Sequence, residues 1–495
     1  MPPQRSIATN VAFNLLGQLA PAIAAAVSMP FLLHGLGPER LGVLSLAWVA
    51  VGAFTLLDFG LGRSLTLELA RRRAGGAMAE IPPILQGTIG VLTAIGVISG
   101  GLMVACQHAI VDFLSVPGAL RSEVSLGLVA LAVTAPAMTA AAGLRAALEA
   151  WGRFDLSNAV RAPVGALTYL GPAAVLPFTS SVGHAVVALC AGRLAGTLVM
   201  LALTVRELPG ARTRPVTWQP LRSVLVSGWW INVATMVGVA LSYADRVALG
   251  RLVTLDAVAH YATPQELVSK LTVAPVAVNT VLLPAMSAAR ATGDADVVRH
   301  FGRGLTYSFL LLLPVVTTGA ALAPELLGAW LGVEAAAAST RATQWLLLAV
   351  LLQSLAITPL TTLQAVGRSR VTAALQTIQL PLLLAGLWTV VPRYGIGGAA
   401  FLAAARMMLD LILLLWTSRV YVEGISILAA RWARVAAVSV VWFCGVALIS
   451  GLGPRLLCLA GAALVAVWAL PTLADADDLA RWRAVIRGRA HASPQ

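Results

Sequence analysis

Charge is what this chain has least of. Charged residues make up 11% of its 495 residues and hydrophobic residues 59%, against roughly a quarter charged in ordinary soluble domains. A soluble chain of this length would form several domains with polar surfaces. Too few polar residues are present to cover such surfaces, so lipid must do it. Lysine is nearly absent: Lys270 is the single one, and every other residue among the 34 Lys and Arg is arginine. Cysteine is scarce as well. Cys106, Cys190, Cys444 and Cys458 lie in or beside apolar stretches without metal-ligand spacing, which favours small core residues over disulfides or ligands. No Gly-x-x-x-x-Gly-Lys-Ser/Thr phosphate loop occurs, and the ten-residue alternating strands of an outer-membrane barrel are missing. The first apolar run, from Ile7 to Leu33, is too long for a cleavable signal peptide and continues into a second span.

What is present is a succession of apolar stretches long enough to cross about 30 Å of hydrocarbon as helices. They fall near 8–33, 42–65, 83–106, 122–147, 156–177, 182–205, 223–249, 258–282, 304–330, 342–365, 371–391, 396–418, 434–452 and 455–473. The expectation is therefore an all-α polytopic membrane protein of about fourteen transmembrane helices. The net charge of +13 does not point to nucleic acid, because the arginines sit at span ends with no basic face or aromatic interleaving. With the N-terminus in the cytoplasm, the inner loops collect Arg71, Arg72, Arg73, Arg153, Arg212, Arg214, Arg290, Arg299 and Arg368, and the tail adds Arg481, Arg483, Arg487 and Arg489. The outer loops hold little beyond Arg40, Arg121, Arg341, Arg393 and Arg455, with Arg246 and Arg251 near one boundary. This asymmetry predicts a multi-pass membrane protein with an even number of spans and both termini cytoplasmic.

Internal repetition organises the spans. Laying Asn14 on Asn232 without gaps brings Leu41–Leu44 onto Ala259–Ala262; Leu148–Arg153 matches Leu363–Arg368, and Ala191-Gly192-Arg193 matches Ala404-Ala405-Arg406. Two six-helix repeats are expected, over 1–221 and 222–420, followed by an extra helix pair over 421–474 and a cytoplasmic tail over 475–495. Both repeats start inside and run outward, which makes them parallel and puts a central cleft on their pseudo-twofold axis.

Several short stretches then carry a resemblance. Asn10–Gly17, Leu36-Gly-Pro-Glu-Arg-Leu-Gly42, Leu57-Asp-Phe-Gly-Leu-Gly-Arg63, Asp245-Arg246 with Tyr261, Gly367-Arg368 and Tyr394–Ala400 are together similar to bacterial polysaccharide and O-antigen flippases, within the multidrug/oligosaccharidyl-lipid/polysaccharide exporter superfamily. His260 departs from the pattern, and the extra helix pair is similar to the fourteen-helix lipid II flippase branch. The resemblance implies alternating access by two rocking bundles, driven by an ion gradient and without a cofactor. It also implies a cargo: an oligosaccharide on a polyprenyl pyrophosphate, destined for cell-surface polysaccharide. The implied partners are that glycan carrier, membrane lipids and the polysaccharide polymerase machinery, with no nucleic acid.

A charge at the bilayer centre costs about 2.5–3.5 kcal/mol on insertion scales, so deep ionisable groups are candidate functional residues. Arg193, Arg406 and Lys270 count to the middle of their spans, and Arg161 lies nearer an inner end. Arginine forks match phosphate oxygens bidentately, so these residues are candidates for a pyrophosphate and glycan cleft. The plainer reading is internal pairing: Arg406 with Asp410, Lys270 with Glu266, Arg145 with Glu149 and Asp58 with Arg63. Asp58, Glu266 and Asp410 are the candidate coupling or pairing carboxylates. Asn14 and Gln18 share a face of the first span, and Trp229 and Trp230 read as interfacial. Asp475, Asp477 and Asp478 read as a solvated cluster rather than a sugar-nucleotide site. A cation-coupled multidrug exporter would call for deep acids where this chain has deep bases. A membrane glycosyltransferase or polymerase would call for a sizeable outer loop, and the outer loops are short.

The arginine asymmetry makes a direct prediction. Reporter fusions at Arg72, Arg214, Arg299 and Arg487 should read cytoplasmic, and fusions at Pro38, Pro117 and Arg393 periplasmic. A periplasmic reading at Arg487 would refute the fourteen-span arrangement.

Overall fold

The computed structural model describes residues 7–57, 61–207, 237–238 and 240–448. Asp58, Trp229, Trp230, the last expected span and the Asp475–Asp478 cluster lie outside the described residues, as do the side chains of Asn14, Gln18 and Arg63. Every regular element among the described residues is helical. Eight helical runs are long and apolar enough to cross a membrane, as expected where backbone groups must be satisfied within the segment. Large apolar side chains stay exposed on them, among them Ile98 at 70%, Val133 at 74% and Val441 at 71%. The protein is a polytopic membrane protein with lipid as its solvent.

The chain divides into two compact units. The first contains residues 1–267 and 380–399. Its helices are α1 (Ile7–Leu36), α2 (Pro38–Leu56), α3 (Leu61–Ala74), α4 (Ile81–Ala105), α5 (Gln107–Phe113), α6 (Arg121–Ala150), α7 (Phe154–Val175), α8 (Val182–Glu207), α9 (240–252) and most of α10 (Leu255–Ser269). The span expected over 42–65 is thus two helices, with the Leu57 N–H closing α2 on the Ala53 carbonyl. Helix α6 is the centre, packing against α2, α3, α4 and α8. The α4–α6 contact is close because small residues line it. A Cβ on Gly100 would stand 2.4 Å from the Ala132 carbonyl oxygen, and one on Gly96 2.5 Å from Pro136 Cα. Gly96 and Gly100 are spaced as in Gly-x-x-x-Gly packing, where backbone contact replaces the absent hydrophobic drive.

The second unit contains residues 268–379 and 400–495. Its described helices are α11 (Val273–Thr292), α12 (Asp294–Ala321), α13 (Ala323–Leu331), α14 (Val333–Ala365), parts of α15 (Ser369–Tyr421) and α16 (Ile425–Leu448). Helix α14 is its core, packing against α11, α12, α13 and α16. Its Gln344 amide donates to the Ala320 carbonyl at 3.1 Å, and its Trp345 meets Phe401 edge to face at 5.2 Å. Two expected spans are broken. The one over 304–330 divides at Leu322, next to Pro324, and the one over 258–282 divides at a single 3-10 turn, Lys270–Thr272. Pro275, in the first turn of α11, has no N–H to extend an α-helix backward through that turn. Within α15, Gly395 has φ 53° and ψ −135°. It stands between the spans expected to end at 391 and begin at 396, where a Cβ would be strained.

The α4–α6 contact can be tested. Gly100→Leu should lower the thermal stability of the detergent-extracted protein by about 1–3 kcal/mol, as overpacking does. Gly101→Leu, whose Cβ meets nothing within 4 Å, should leave it unchanged.

Candidate functional site

Two charged constructions lie inside the first unit. The first is a buried network joining α7 to α9 and α10. Arg246, with 4% of its side chain exposed, donates through Nη2 to Glu266 Oε1 at 2.7 Å. Its Nε donates to Gln265 Oε1 at 2.6 Å. The Tyr169 hydroxyl of α7 donates to the other Glu266 oxygen at 2.7 Å. Asp245 accepts from the Arg246 backbone N–H at 2.8 Å, from Gln265 Nε2 at 3.1 Å and from the Tyr261 hydroxyl. Tyr243 lies over the Arg246 guanidinium at 5.7 Å. Beside it Gly52 of α2 leaves the room, since a Cβ there would stand 2.9 Å from the Tyr243 oxygen. Two carboxylates and one guanidinium, all desolvated, are held by tyrosine and glutamine donors. Such a pair is tolerable because the carboxylate oxygens are satisfied, although the buried Arg246 Nη1 has no hydrogen-bond partner among the described residues.

The second construction is a cavity of about 240 Å³ between α2, α6, α7 and α8. Arg145 of α6, Arg161 of α7 and Arg193 of α8 line it, together with Thr55, Thr197 and apolar side chains. Among the described residues no carboxylate lines it. Arg193 donates through Nη2 to the Thr168 hydroxyl at 3.1 Å, while its buried Nε has no hydrogen-bond partner among the described residues. Thr168 adjoins Tyr169, and the Thr168 carbonyl accepts from the Trp48 indole at 3.3 Å. The two constructions therefore share one stretch of α7. Arg161 reaches only Asn158 Oδ1, at 3.5 Å. Arg145 lies 3.8 Å from Glu149 one turn on, within ion-pair range but too far for a hydrogen bond. Close approach of α8 to α7 is made possible by Gly196, whose Cβ would stand 2.2 Å from Val164 Cγ2.

Beyond Glu149, the turn Trp151–Arg153 joins α6 to α7. Its Arg153 is tied to Asp155 and to Glu207 at the end of α8. Those carboxylates, Asp155 foremost, hold the Arg153 guanidinium charged even more firmly than usual. A larger cavity of the same unit, about 510 Å³, is lined by apolar side chains such as Leu46, Phe113 and Leu128. Its one acid, Glu123, is neutralised by Arg40 at 2.9 Å.

Of the residues singled out in the sequence, Arg193 and Arg161 come together on the arginine cavity, and Arg145 joins them there. Glu266 belongs to the buried network. Lys270, Arg406 and Asp410 belong to the second unit. Lys270 is half-buried and opens the 3-10 turn after α10. Asp410 accepts from the Gln379 amide at 2.7 Å, and Arg406 lies 3.7 Å from the Met407 sulfur. The network residues Arg246, Asp245, Tyr169 and Tyr261 were not singled out as a site, although a signal was available. Asp245-Arg246 and Gln265-Glu266 are polar pairs within two apolar helices joined by a short turn, so an antiparallel helix pair brings them within reach of each other.

The network generates a stability prediction. Glu266→Gln or Arg246→Gln leaves an uncompensated buried charge and should each cost about 3–5 kcal/mol, read as loss of folded protein after detergent extraction. Replacing both with methionine should recover most of it.

With this geometry described, comparison with known proteins is informative. Residues 7–290 match the family described as polysaccharide biosynthesis protein. A candidate O-antigen transporter of Shigella flexneri is 28% identical over 412 residues, covering 83% of this chain and 97% of that one. The fold is similar to that of the lipid II flippase MurJ in an inward closed conformation, with TM-score 0.71 and 11% identity over 93% of this chain and 97% of that one. It is also similar to an inward-facing multidrug resistance MATE family transporter of the MOP superfamily, with TM-score 0.70 and 14% identity over 83% and 99%. These relatives are transporters and flippases rather than enzymes. With more than half its length matched, the chain belongs to the polysaccharide biosynthesis protein family.

Proposed function

We propose that this protein flips a polyprenyl-pyrophosphate-linked oligosaccharide across the bacterial inner membrane, from the cytoplasmic to the outer leaflet, for cell-surface polysaccharide. The observation that carries this reading is the cavity lined by Arg145, Arg161 and Arg193 and, among the described residues, by no acid. A cluster of guanidiniums in low dielectric needs an anion, and arginine forks suit phosphoryl oxygens. Family membership and the candidate O-antigen transporter among the relatives supply the glycan side of the argument.

The mechanism is alternating access between two six-helix repeats, with the head group carried in the cleft. Arg193 and its repeat counterpart Arg406 hold the anion, Arg161 receives it nearer the inner end, and Lys270 adds a charge found in one repeat only. Of the candidate carboxylates, Glu266 serves as a pairing group within the buried network, and Asp58 and Asp410 are those through which an ion gradient would act. A cation-coupled drug exporter fits less well, because the deep acids Asp245 and Glu266 are already occupied by Arg246, Tyr169, Tyr261 and Gln265.

The test is transport in proteoliposomes, read as exposure of the glycan to an impermeant lectin. Arg193→Ala and Arg406→Ala should each reduce the rate by about tenfold or more with protein abundance unchanged, the loss expected for a charged hydrogen bond. Arg193→Lys should recover part of it, since a point charge lacks the fork. Wild-type rates from the double alanine variant would refute the assignment.

A further inference from the structure

Glu149 sits at the edge of the arginine cavity without lining it. It stands 3.8 Å from Arg145 and accepts from the buried Ser157 hydroxyl at 3.4 Å. It is also, with Arg145, one of the charges that act on Arg161. The side chain thus faces two of the three guanidiniums. At 3.8 Å it compensates charge without a hydrogen bond to Arg145, which also lines the cavity. The third guanidinium lies further along: Thr168, which Arg193 touches, is seven residues beyond Arg161 on α7, a rise of about 10 Å. A single phosphoryl group engages one end of such a cavity, whereas a diphosphate offers oxygens to both.

The cavity is also small. Its volume of about 240 Å³ lies below the roughly 300–1,000 Å³ of pockets that enclose a drug-sized ligand. It takes a head group, and the glycan must lie outside it. Selection at this place can therefore read the charge of the head group but not the identity of the sugar.

We propose that Glu149 is a resident counter-anion that sets which state of the lipid carrier the cavity accepts. The argument rests on the flippase reading above. Among the described residues the cavity and its edge hold three guanidiniums against one carboxylate, an excess of two positive charges. A glycan-loaded carrier is a diphosphate diester with two negative charges, and it closes the balance. The unloaded carrier ends in a phosphate monoester, whose second ionisation near pH 6 adds a further charge at neutral pH. That extra charge meets Glu149 in a desolvated site, where like charges repel strongly. A monophosphate-linked sugar carries one charge and leaves a guanidinium uncompensated. Glu149 thereby makes the protein take the loaded carrier and leave the empty one.

The experiment uses the full chain in zwitterionic nanodiscs and three probes sharing one polyprenol: a diphosphate-linked sugar, the unsugared polyprenyl diphosphate and a monophosphate-linked sugar. Wild type should bind the first at least about fivefold more tightly than either of the others at pH 7.5, one uncompensated charge being the difference. Glu149→Gln should reverse the order of the first two, with a gain in affinity for the unsugared diphosphate that misfolding cannot produce. Arg145→Gln together with Arg161→Gln should remove the preference for two phosphoryl groups over one. Equal binding of loaded and unloaded carrier by wild type, or an unchanged order in Glu149→Gln, overturns the proposal. Glycan transport by a protein with no such preference would overturn it and leave the flippase reading intact. A protein that selects the loaded carrier yet moves no glycan in vesicles would instead overturn the flippase reading and support the role of Glu149.

Discussion

The constraint on which the rest of the structure depends is the cost of a charge inside hydrocarbon. The first unit meets it in two opposite ways. Around Arg246 the carboxylates are spent within the protein, on the guanidinium, Gln265, Tyr169 and Tyr261, and among the described residues one guanidinium nitrogen, Nη1, has no hydrogen-bond partner. Around Arg193 the cost is left partly unmet, with a hydroxyl for one nitrogen and nothing for another. A closed network holds three helices in one arrangement. An open one is a vacancy for an anion. That both lie on consecutive residues of α7, Thr168 and Tyr169, means that an anion reaching Arg193 bears on the helix that the closed network fixes.

Packing follows from the same solvent. Lipid offers no hydrophobic drive between helices, so contact must come from close approach of backbones. Gly96 and Gly100 do this against α6, and Gly196 against α7. The consequence for function is geometric. Small residues at these crossings let three arginines on α6, α7 and α8 converge on one cavity, where bulkier ones would hold the helices apart.

Much of this was legible in the sequence, and the reasons for the remainder are physical. Helical character, membrane residence and the break at Gly395 follow from hydropathy and from one residue's backbone freedom. Arg193 was visible because no acid stands within a turn of it. Arg161 was visible too, but its partnership with Arg145 was not: Arg145 has Glu149 at i+4, and that spacing reads as a settled pair. The pair exists, at 3.8 Å, yet the arginine faces the cavity as well. Sequence spacing tells which charges can meet and not how completely they are spent. The broken span at Lys270–Thr272 was missed because hydropathy runs straight through it, while Pro264 and Pro275 mark the interruption.

Arg246 is the most instructive residue. Read as one arginine near a span boundary, it counted toward a loop. Folded, it is the centre of the most buried polar cluster of the unit. The difference lies in pairing across a turn. Helices α9 and α10 are joined by a short connection at 253–254, so polar residues on the two can reach one another. Asp245-Arg246 then faces Gln265-Glu266 as two polar pairs within apolar helices. Charges facing one another across a hairpin can cancel, whereas charges on a helix that meets only apolar neighbours cannot. The arginines of the cavity are not cancelled in that way: Arg161 and Arg193 reach the neutral groups of Asn158 and Thr168, and Arg145 has Glu149 in ion-pair range without a hydrogen bond. That contrast is why one cluster serves to hold helices together and the other is free to hold something else.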